Sequence, residues 1–182
     1  MYEEAKMIFR ELTLKDAFIV DIERRDDERG FFARTFCERE FEAHGLNRRL
    51  AQSSISFNKN KGTLRGMHYQ TAPNEEAKVV RCTQGAIYDV IIDLRQCSPT
   101  FKQWQAVELT SENRRMIYVP EGFAHGFQTL EDATEVLYFM TEFYAPEVSR
   151  GVRWDDPAFG IRWPAADRTI ALRDQQYPAF IL

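Results

Sequence analysis

The chain has 182 residues with a formal net charge of −4, 44% hydrophobic residues and 29% charged residues, which is ordinary for a globular protein of one domain. Lysine and arginine are not gathered into runs, so nucleic acid is not an expected partner. Apolar runs stay well short of the roughly 20 residues of a membrane span, and the N-terminus lacks a signal-peptide core. We therefore expect no membrane partner and a cytoplasmic location.

The first fifty residues read as short strands followed by one helix. Residues 7–21 indicate a strand, a turn near Leu14–Asp16 and a second strand, and an aromatic strand follows a charged turn that ends at Gly30. Helical spacing covers Cys37–His44, where His44 is predicted to complete the helix end at the surface. Glycine at the next position is typical of a helix stop.

The stretch GTLRGMHYQ, Gly62–Gln70, is the densest group of special residues in the chain. It follows an alternating segment, Leu50–Phe57, and is itself predicted to be a strand. Strict alternation places His68 on one face and Arg65 on the other. His68 is the obvious candidate for proton transfer, because the unperturbed pKa of histidine lies near neutral pH. A polar edge strand with a structural histidine is the alternative.

Further strands fill the second half of the chain. Lys78–Thr83 and Ala86–Arg95 flank Gln84-Gly85 in a pattern that predicts a hairpin. In the second strand, alternation predicts one face with Ile87, Asp89, Ile91, Asp93 and Arg95, and the other with Ala86, Tyr88, Val90, Ile92 and Leu94. The other predicted strands are Trp104–Leu109, Arg115–Val119, a strand that begins within Pro120–Phe127, and Glu135–Glu142. From about residue 147 the chain is predicted to form an irregular C-terminal flap. About ten short strands and one clear helix favour an all-β sandwich or barrel.

Three residues besides His68 could carry chemistry inside a barrel. Lys78 opens an apolar strand, so it either needs an anion in the interior or lies in water at the strand end. Tyr138 shares a face with Val136 and Met140, and a core tyrosine with a satisfied hydroxyl is the simplest interpretation. His125 is predicted to lie in a glycine-flanked turn, where side chains often point at ligands.

Metal and nucleophilic chemistry are both disfavoured by the sequence. The histidines are widely separated, with no HxH pair and no carboxylate at a ligand spacing, whereas iron and zinc sites need such a cluster. The three cysteines form no CxxC pair, so neither a disulfide framework nor a thiolate zinc site is indicated. No GxSxG occurs either. We expect no metal and no cofactor.

Several motifs, taken together, are specific to one family. DERGFF, LRGMHYQ, AKVVRC, DLRQCSPTF, PEGFAHGF and RWDDP occur in this order over most of the chain. The chain resembles the dTDP-4-dehydrorhamnose 3,5-epimerase family, the sugar-nucleotide epimerases of the cupin superfamily. The resemblance implies a jelly-roll barrel with one or two short helices, a strand-exchanged homodimer and metal-free inversion of C3, C5 or both in nucleoside-diphosphate 4-keto-6-deoxyhexoses.

The resemblance also implies residue roles. His68 matches the general base, Tyr138 the general acid on the opposite face of the sugar, Lys78 the group beside the C4 carbonyl, and Asp174 the acid that orients the histidine. The substrate-binding set that it implies is Arg65 at the diphosphate, His125 in the sugar pocket, Gln52 and Arg29 on the nucleotide side, and Arg173.

At three positions on the nucleotide side the chain departs from the family pattern. Arg34 and Arg150 stand where the family commonly has glutamate, and Ser54 stands where it commonly has asparagine. Because arginine only donates hydrogen bonds, one hypothesis is that the enzyme prefers a base other than thymine, with CDP or GDP sugars as candidates. The alternative is that these arginines lie in solvent and the base stacks on Phe31 or Phe32.

Two other functions are compatible with the same residues. A cupin 3,4-ketoisomerase would use the same kind of substrate, but it would move the carbonyl. A sugar-nucleotide-binding module without turnover is the third candidate, and the retention of His68, Tyr138 and Lys78 argues against it.

Overall fold

The computed structural model describes residues 5–181 and contains fourteen strands and two short helices over that range. The strands are β1 (Met7–Glu11), β2 (Phe18–Ile22), β3 (Arg25–Asp27), β4 (Gly30–Phe32), β5 (Gln52–Asn58), β6 (Thr63–Gln70), β7 (Lys78–Gln84), β8 (Ala86–Asp93), β9 (Trp104–Thr110), β10 (Met116–Val119), β11 (Phe123–Thr129), β12 (Thr134–Met140), β13 (Ser149–Gly151) and β14 (Thr169–Ile170). The helices are α1 (Glu38–Ala43) and α2 (Leu172–Gln175).

Two large sheets face each other. The first has the strand order β1-β2-β10-β7-β12-β5, and the second has the order β13-β6-β11-β8-β9, with β14 beside β6. All pairs are antiparallel except β14 with β6. Strands β3 and β4 form a separate hairpin. The predicted all-β jelly roll with one or two short helices is confirmed.

The main core fills the space between the sheets. Val80, Ile117 and Val136 contribute from the first sheet, and Ile87, Ile91 and Phe127 from the second. The faces predicted for the strand after Gly85 are correct, because Ile87 and Ile91 point into this core while Val90 and Ile92 pack on the opposite side. Burying two-sided apolar strands of this kind supplies most of the stabilisation of a β sandwich.

Each sheet is also covered on its outer face. Helix α1 buries Phe41 against the first sheet and ends before Gly45, which has a φ of +71°. As predicted, His44 lies at the exposed helix end, where Nδ1 is 2.8 Å from the Glu40 carbonyl oxygen. The C-terminal segment covers the second sheet with Phe159, Trp163 and Phe180. The predicted irregular flap therefore contains β13, β14 and α2.

The predicted hairpin around Gln84-Gly85 is wrong. Strand β7 pairs with β10 and β12 in the first sheet, whereas β8 pairs with β9 and β11 in the second. Gly85 is a corner at which the chain crosses between sheets. Its φ is +74°, and a Cβ there would lie 2.5 Å from the Thr134 hydroxyl oxygen. A hairpin turn and a corner share the same local glycine signal.

Strand β5 is one edge of the first sheet and pairs only with β12 in the described chain. Ile55 and Phe57 on this strand are 64% and 52% exposed. Strand β8, by contrast, has a partner on both sides and needs no further pairing. No helix among residues 5–181 is long and apolar enough to cross a membrane. That residues 1–182 form a single domain stays a prediction.

Candidate active site

Two adjoining cavities open between the sheets near β6, β7 and β12. The larger has a volume of about 580 Å³ and the smaller about 250 Å³. Four residues line both cavities: His68, Lys78, Tyr138 and Arg173. The larger volume falls in the range of small-molecule sites, so the residues predicted for proton transfer lie where a ligand fits.

His68 lies on β6 beside a carboxylate that is distant in sequence. Its Nε2 is 2.8 Å from Oδ1 of Asp174 in α2, and the Gly66 amide donates to Oδ2 of the same carboxylate at 3.1 Å. Burial alone would raise the pKa of the Asp174 carboxyl, but the hydrogen bonds with His68 and Gly66 hold it below its usual range. An ionised Asp174 accepts the Nε2–H of His68, so Nδ1 is the ring atom able to take a proton.

A β-bulge brings Arg65 to the same cavity as His68. Across the β11–β6 pair, His125 lies opposite His68 and Phe127 lies opposite Arg65, so two steps on one strand match three on the other. Gly66 sits in the bulge with a φ of +128°. Arg65 lines the larger cavity, and its Nε donates to Asn58 at 2.7 Å. The prediction of opposite faces is wrong, because a bulge breaks the period of two.

His125 belongs to a second histidine–carboxylate pair. Its Nε2 is 2.8 Å from Oδ2 of Asp89, and both side chains are almost fully buried. The other oxygen of Asp89 has no hydrogen-bond partner among the described residues. His125 lies within β11, so its predicted place in a turn is wrong. It does line the larger cavity.

Tyr138 approaches the cavity from β12 in the first sheet, opposite the sheet that carries His68. Its ring meets that of His125 edge-on at 6.2 Å between centroids. Burial and the negative charge of Asp89 raise the pKa of the Tyr138 phenol far above its usual range, and the charge of Arg65 opposes them. The phenol is therefore protonated at neutral pH and able to donate.

Lys78 is buried and paired. It is 9% exposed, and its Nζ is 2.8 Å from Oε1 of Glu76. Of the two environments considered for Lys78, the structure has the interior one with an anion. An ammonium carries three N–H donors, so the bond to Glu76 leaves two that can reach a ligand in the adjoining cavities.

Arg173 lies at the junction of the two cavities, held by Tyr177 after α2 and by Ser149 of β13. Its Nε donates to the Tyr177 hydroxyl at 3.0 Å, and its NH2 nitrogen donates to Ser149 at 3.1 Å. Gln52 and Ser54 line the smaller cavity, where Gln52 also accepts a hydrogen bond from the Tyr144 amide at 2.8 Å. Gln52, Ser54 and Arg173 therefore provide polar groups in the smaller cavity, which His68 also lines.

The other predicted nucleotide-side residues do not line either cavity in the single chain. Arg29 forms an ion pair with Asp27, Arg34 pairs with Glu40 at 3.0 Å, and Arg150 donates to the backbone. Their predicted contacts with the nucleotide therefore stay untested.

Three site residues were not predicted: Asp89, Glu76 and Tyr177. A buried aspartate in the apolar run of β8 was a usable signal, because an ionisable group on an inward face needs a partner. Glu76 and Tyr177 gave no local signal.

The chain also contains a cavity of about 790 Å³ beside the β1–β2 turn. Its charged groups pair with each other, Lys15 with Glu11 and Asp16, and Arg95 with Asp16. Volume therefore does not identify the site, whereas the histidine–carboxylate pairs do. Among residues 5–181 no group of three or more histidines, cysteines or acids is placed to hold a metal ion.

The comparisons with known proteins identify the family of the chain. The family model described as dTDP-4-dehydrorhamnose 3,5-epimerase matches residues 11–181. The chain belongs to the dTDP-4-dehydrorhamnose 3,5-epimerase family. It is an isomerase of the epimerase type, as the sequence predicted.

Individual relatives cover most of the chain. A dTDP-4-dehydrorhamnose 3,5-epimerase of Sinorhizobium fredii is 41% identical over 87% of this chain and 82% of its own length. A crystal structure of the Bacillus anthracis enzyme with TDP and pyrophosphate bound has a TM-score of 0.92 and 38% identity, covering 96% of this chain and 100% of that one. A 3'-monoepimerase of Streptomyces bikiniensis in complex with dTDP-quinovose is similar with a TM-score of 0.85 and 30% identity, covering 92% and 85%.

Proposed function

We propose that the protein binds a dTDP-linked 4-keto-6-deoxyhexose with the sugar in the larger cavity, and inverts a carbon next to the ketone by proton transfer between His68 and Tyr138. One observation carries this proposal: the two residues line the same cavity from facing sheets. A sugar ring between the sheets meets a base on one face and an acid on the other, which is what inversion requires.

The proton steps follow from the protonation states at the site. Nδ1 of His68 takes the proton of a carbon next to the C4 carbonyl, and the electron pair of that C–H bond forms the enolate. The Tyr138 phenol then gives its proton to the opposite face of the same carbon, and both side chains recover through solvent. Each general acid–base step contributes about 10²- to 10⁴-fold.

The developing oxyanion needs a nearby cation. Lys78 is the cationic group of the first sheet that lines both cavities, so we assign it to the C4 oxygen. A fixed donor of this kind contributes about 3–4 kcal/mol to the transition state. Ionised Asp174 keeps Nε2 of His68 protonated and so fixes the tautomer that is active as a base. These steps use protein side chains alone, and on that basis we expect activity without a metal ion. Metal independence stays a prediction.

For the nucleotide, the smaller cavity with Gln52, Ser54 and Arg173 offers polar groups next to the sugar site. The Bacillus anthracis relative holds TDP and pyrophosphate, which supports a dTDP sugar here. Arg34 is committed to Glu40 in α1, an arrangement that argues against its reading the base. Competition binding of dTDP, UDP, CDP and GDP tests this point. A preference for CDP or GDP that is lost in Arg34→Glu would return Arg34 to the base site.

We propose a homodimer in which β5 of each chain meets the partner. The exposed Ile55 and Phe57 on an open edge favour pairing with another chain.

Phe32 in the β3–β4 hairpin is 71% exposed, whereas Phe31 is already flanked by the guanidinium groups of Arg24 and Arg114. In the dimer we assign base stacking to Phe32 and a nucleotide contact to Arg29, both reaching the neighbouring site. Light scattering that gives the monomer mass at micromolar concentration would refute the dimer.

The decisive experiment follows a panel of 4-keto sugar nucleotides by NMR in D₂O. We expect deuterium at C3, C5 or both, with the carbonyl retained at C4. A product with its carbonyl at C3 would indicate a ketoisomerase, and binding without exchange would indicate a module that has lost turnover. The pattern of exchange also separates double inversion from the single inversion of a monoepimerase.

A further inference from the structure

Tyr177 packs in a space that exists only because residue 151 is glycine. A Cβ on Gly151 would lie 2.3 Å from two carbons of the Tyr177 ring. Gly151 is also the residue of β13 that pairs directly with His68 of β6. The missing side chain therefore leaves a slot beside the histidine, and the tyrosine ring occupies it.

From this slot Tyr177 contacts both functional residues of the region. Its ring meets the His68 imidazole edge-on, with centroids 6.0 Å apart. Its hydroxyl accepts the hydrogen bond from Nε of Arg173 at 3.0 Å. One side chain thus touches the candidate base and orients the guanidinium at the junction of the cavities.

The element that carries Asp174 has few other restraints. Helix α2 has four residues and no side-chain N-cap, and β14 before it pairs over two residues. Further along the chain, Phe180 packs against Phe159, and its amide donates to Asp156 at 2.7 Å. That anchor holds the tail to the outer cluster of the second sheet, away from His68. Between β14 and Phe180, Tyr177 is the aromatic residue that docks the segment next to the base.

We propose that Tyr177 is a positioning residue, whose ring holds the His68–Asp174 pair in register and whose hydroxyl holds Arg173 in place. The part that concerns Arg173 rests on the proposed function, because it takes the nucleotide part of the substrate as the ligand of that guanidinium. The part that concerns His68 and Asp174 rests on the packing alone.

The imidazole NMR signals test the packing without any substrate. The chain has three histidines, so long-range ¹H–¹⁵N spectra of the full protein are simple, and His68→Asn assigns the His68 signals. In Tyr177→Ala we expect the His68 Nε2–H resonance to shift and exchange faster with water. The His125 resonance should not change, because its pair with Asp89 lies inside the barrel, and it reports that the variant is folded. Leu172→Ala, a change at a 73% exposed position of α2, is the matched control.

Two further variants separate the ring from the hydroxyl. Tyr177→Phe keeps the ring and should keep the His68 signal. Gly151→Ala crowds the ring and should disturb the His68 signal, but it should add nothing in the Tyr177→Ala background, because contacting residues are not additive. An unchanged His68 signal in both Tyr177→Ala and Gly151→Ala overturns the proposal. So does an equal loss of the His68 and His125 signals, which would mark general destabilisation.

Kinetics with the accepted sugar nucleotide extend the test. Tyr177→Ala should lower kcat on the order of 10- to 100-fold, the size expected when a catalytic group is misplaced by about 1 Å. Tyr177→Phe should act mainly on KM, raising it roughly 5- to 10-fold for one lost hydrogen bond. If wild type turns over no sugar nucleotide but the NMR results hold, the proposed function fails and the positioning of His68 stands. If the NMR results fail, the inference fails whatever the activity.

Discussion

His125 and His68 each place Nε2 2.8 Å from an aspartate oxygen, yet the two pairs are built differently. His125 and Asp89 lie on β11 and β8, two neighbouring strands in the middle of the second sheet, and both are buried. His68 lies on β6, but Asp174 comes from a four-residue helix near the end of the described chain. The His68 side chain is 40% exposed. The first pair is part of the barrel, whereas the second is assembled from a late segment laid over it.

This difference explains how one fold contains both a rigid histidine–aspartate pair and a pair that can open locally. A pair of buried side chains on neighbouring strands is held by the packing around it, so it suits a rigid wall of the cavity. A pair closed by a short terminal segment can open locally, because local stability varies with the density of packing. His68, the proposed proton-transfer base, therefore stands at the more adjustable of the two positions.

The largest effect should come from the proton-transfer residues themselves. We expect His68→Ala, and separately Tyr138→Phe, to lower kcat by about 10²- to 10⁴-fold while leaving the fold and dTDP affinity nearly intact. Product formation by NMR measures the first and calorimetric titration with dTDP the second. In Tyr138→Phe, deuterium exchange without inversion would show that His68 still forms the enolate. A wild-type rate in His68→Ala would show that the His68–Asp174 pair is not the catalytic one.

Substitution of Asp89 should mainly lower stability, whereas substitution of Asp174 should mainly lower activity. Asp89→Ala leaves a buried histidine without its partner, so we expect the free energy of unfolding to fall by about 3–5 kcal/mol. Asp174→Ala removes a partner of a half-exposed histidine, and we expect a loss of about 1–2 kcal/mol with a larger proportional loss of kcat. Urea titrations and initial rates on both variants measure this. Equal loss of stability would end the distinction between the two pairs.

Acid should weaken the His68–Asp174 pair in a defined direction. Burial opposes ionisation of Asp174, but its hydrogen bonds lower its pKa below the ordinary value. When the pKa of a carboxyl is lower in the folded state than in the unfolded state, its ionisation stabilises the folded protein at pH values above the unfolded-state pKa. This stabilisation is lost as the pH falls through the folded-state pKa. The difference in unfolding free energy between wild type and Asp174→Asn should therefore shrink from pH ~7 to pH ~3. A difference that grows with acidity would contradict an ionised Asp174.

The smallest expected effect is that of metal removal. His68 and His125 each face one carboxylate, and no group of three potential ligands occurs in the described part of the chain. We expect prolonged dialysis against a strong chelator to leave kcat unchanged. Activity that falls and returns with zinc, iron or nickel would require a ligand set that neither pair supplies.

The sequence predicted the regular strand β8 better than the surroundings of the His68–Asp174 pair. Alternation placed Ile87 and Ile91 correctly on one face of β8, because a strand paired on both sides keeps its period. The same rule failed at Arg65, since the bulge that joins it to His68 depends on how closely β11 approaches Gly66. The role of Asp174 came from the family resemblance, as nothing local in α2 marks that residue.

Other features of the site lay beyond local reading for a related reason. Gly85 turns the chain from one sheet to the other, and a hairpin would show the same dipeptide. Glu76 becomes important only because Lys78 is buried beside it, and Tyr177 only because Gly151 leaves room. Each depends on contact between segments that are set by the whole topology, so composition and spacing could not find them.

The sequence separation of the two pairs has a consequence for how the protein is made. Asp89 and His125 are 36 residues apart, whereas His68 and Asp174 are 106 apart. At ribosomal rates of about 5–20 residues per second, Asp174 follows His68 by about 5–20 s. Strands β7 to β13 emerge within that interval, whereas Thr169, Ile170 and Arg173, which line the larger cavity beside His68, arrive only at its end together with Asp174. A chain that ends before α2 would therefore lack both one side of the larger cavity and the carboxylate that orients His68.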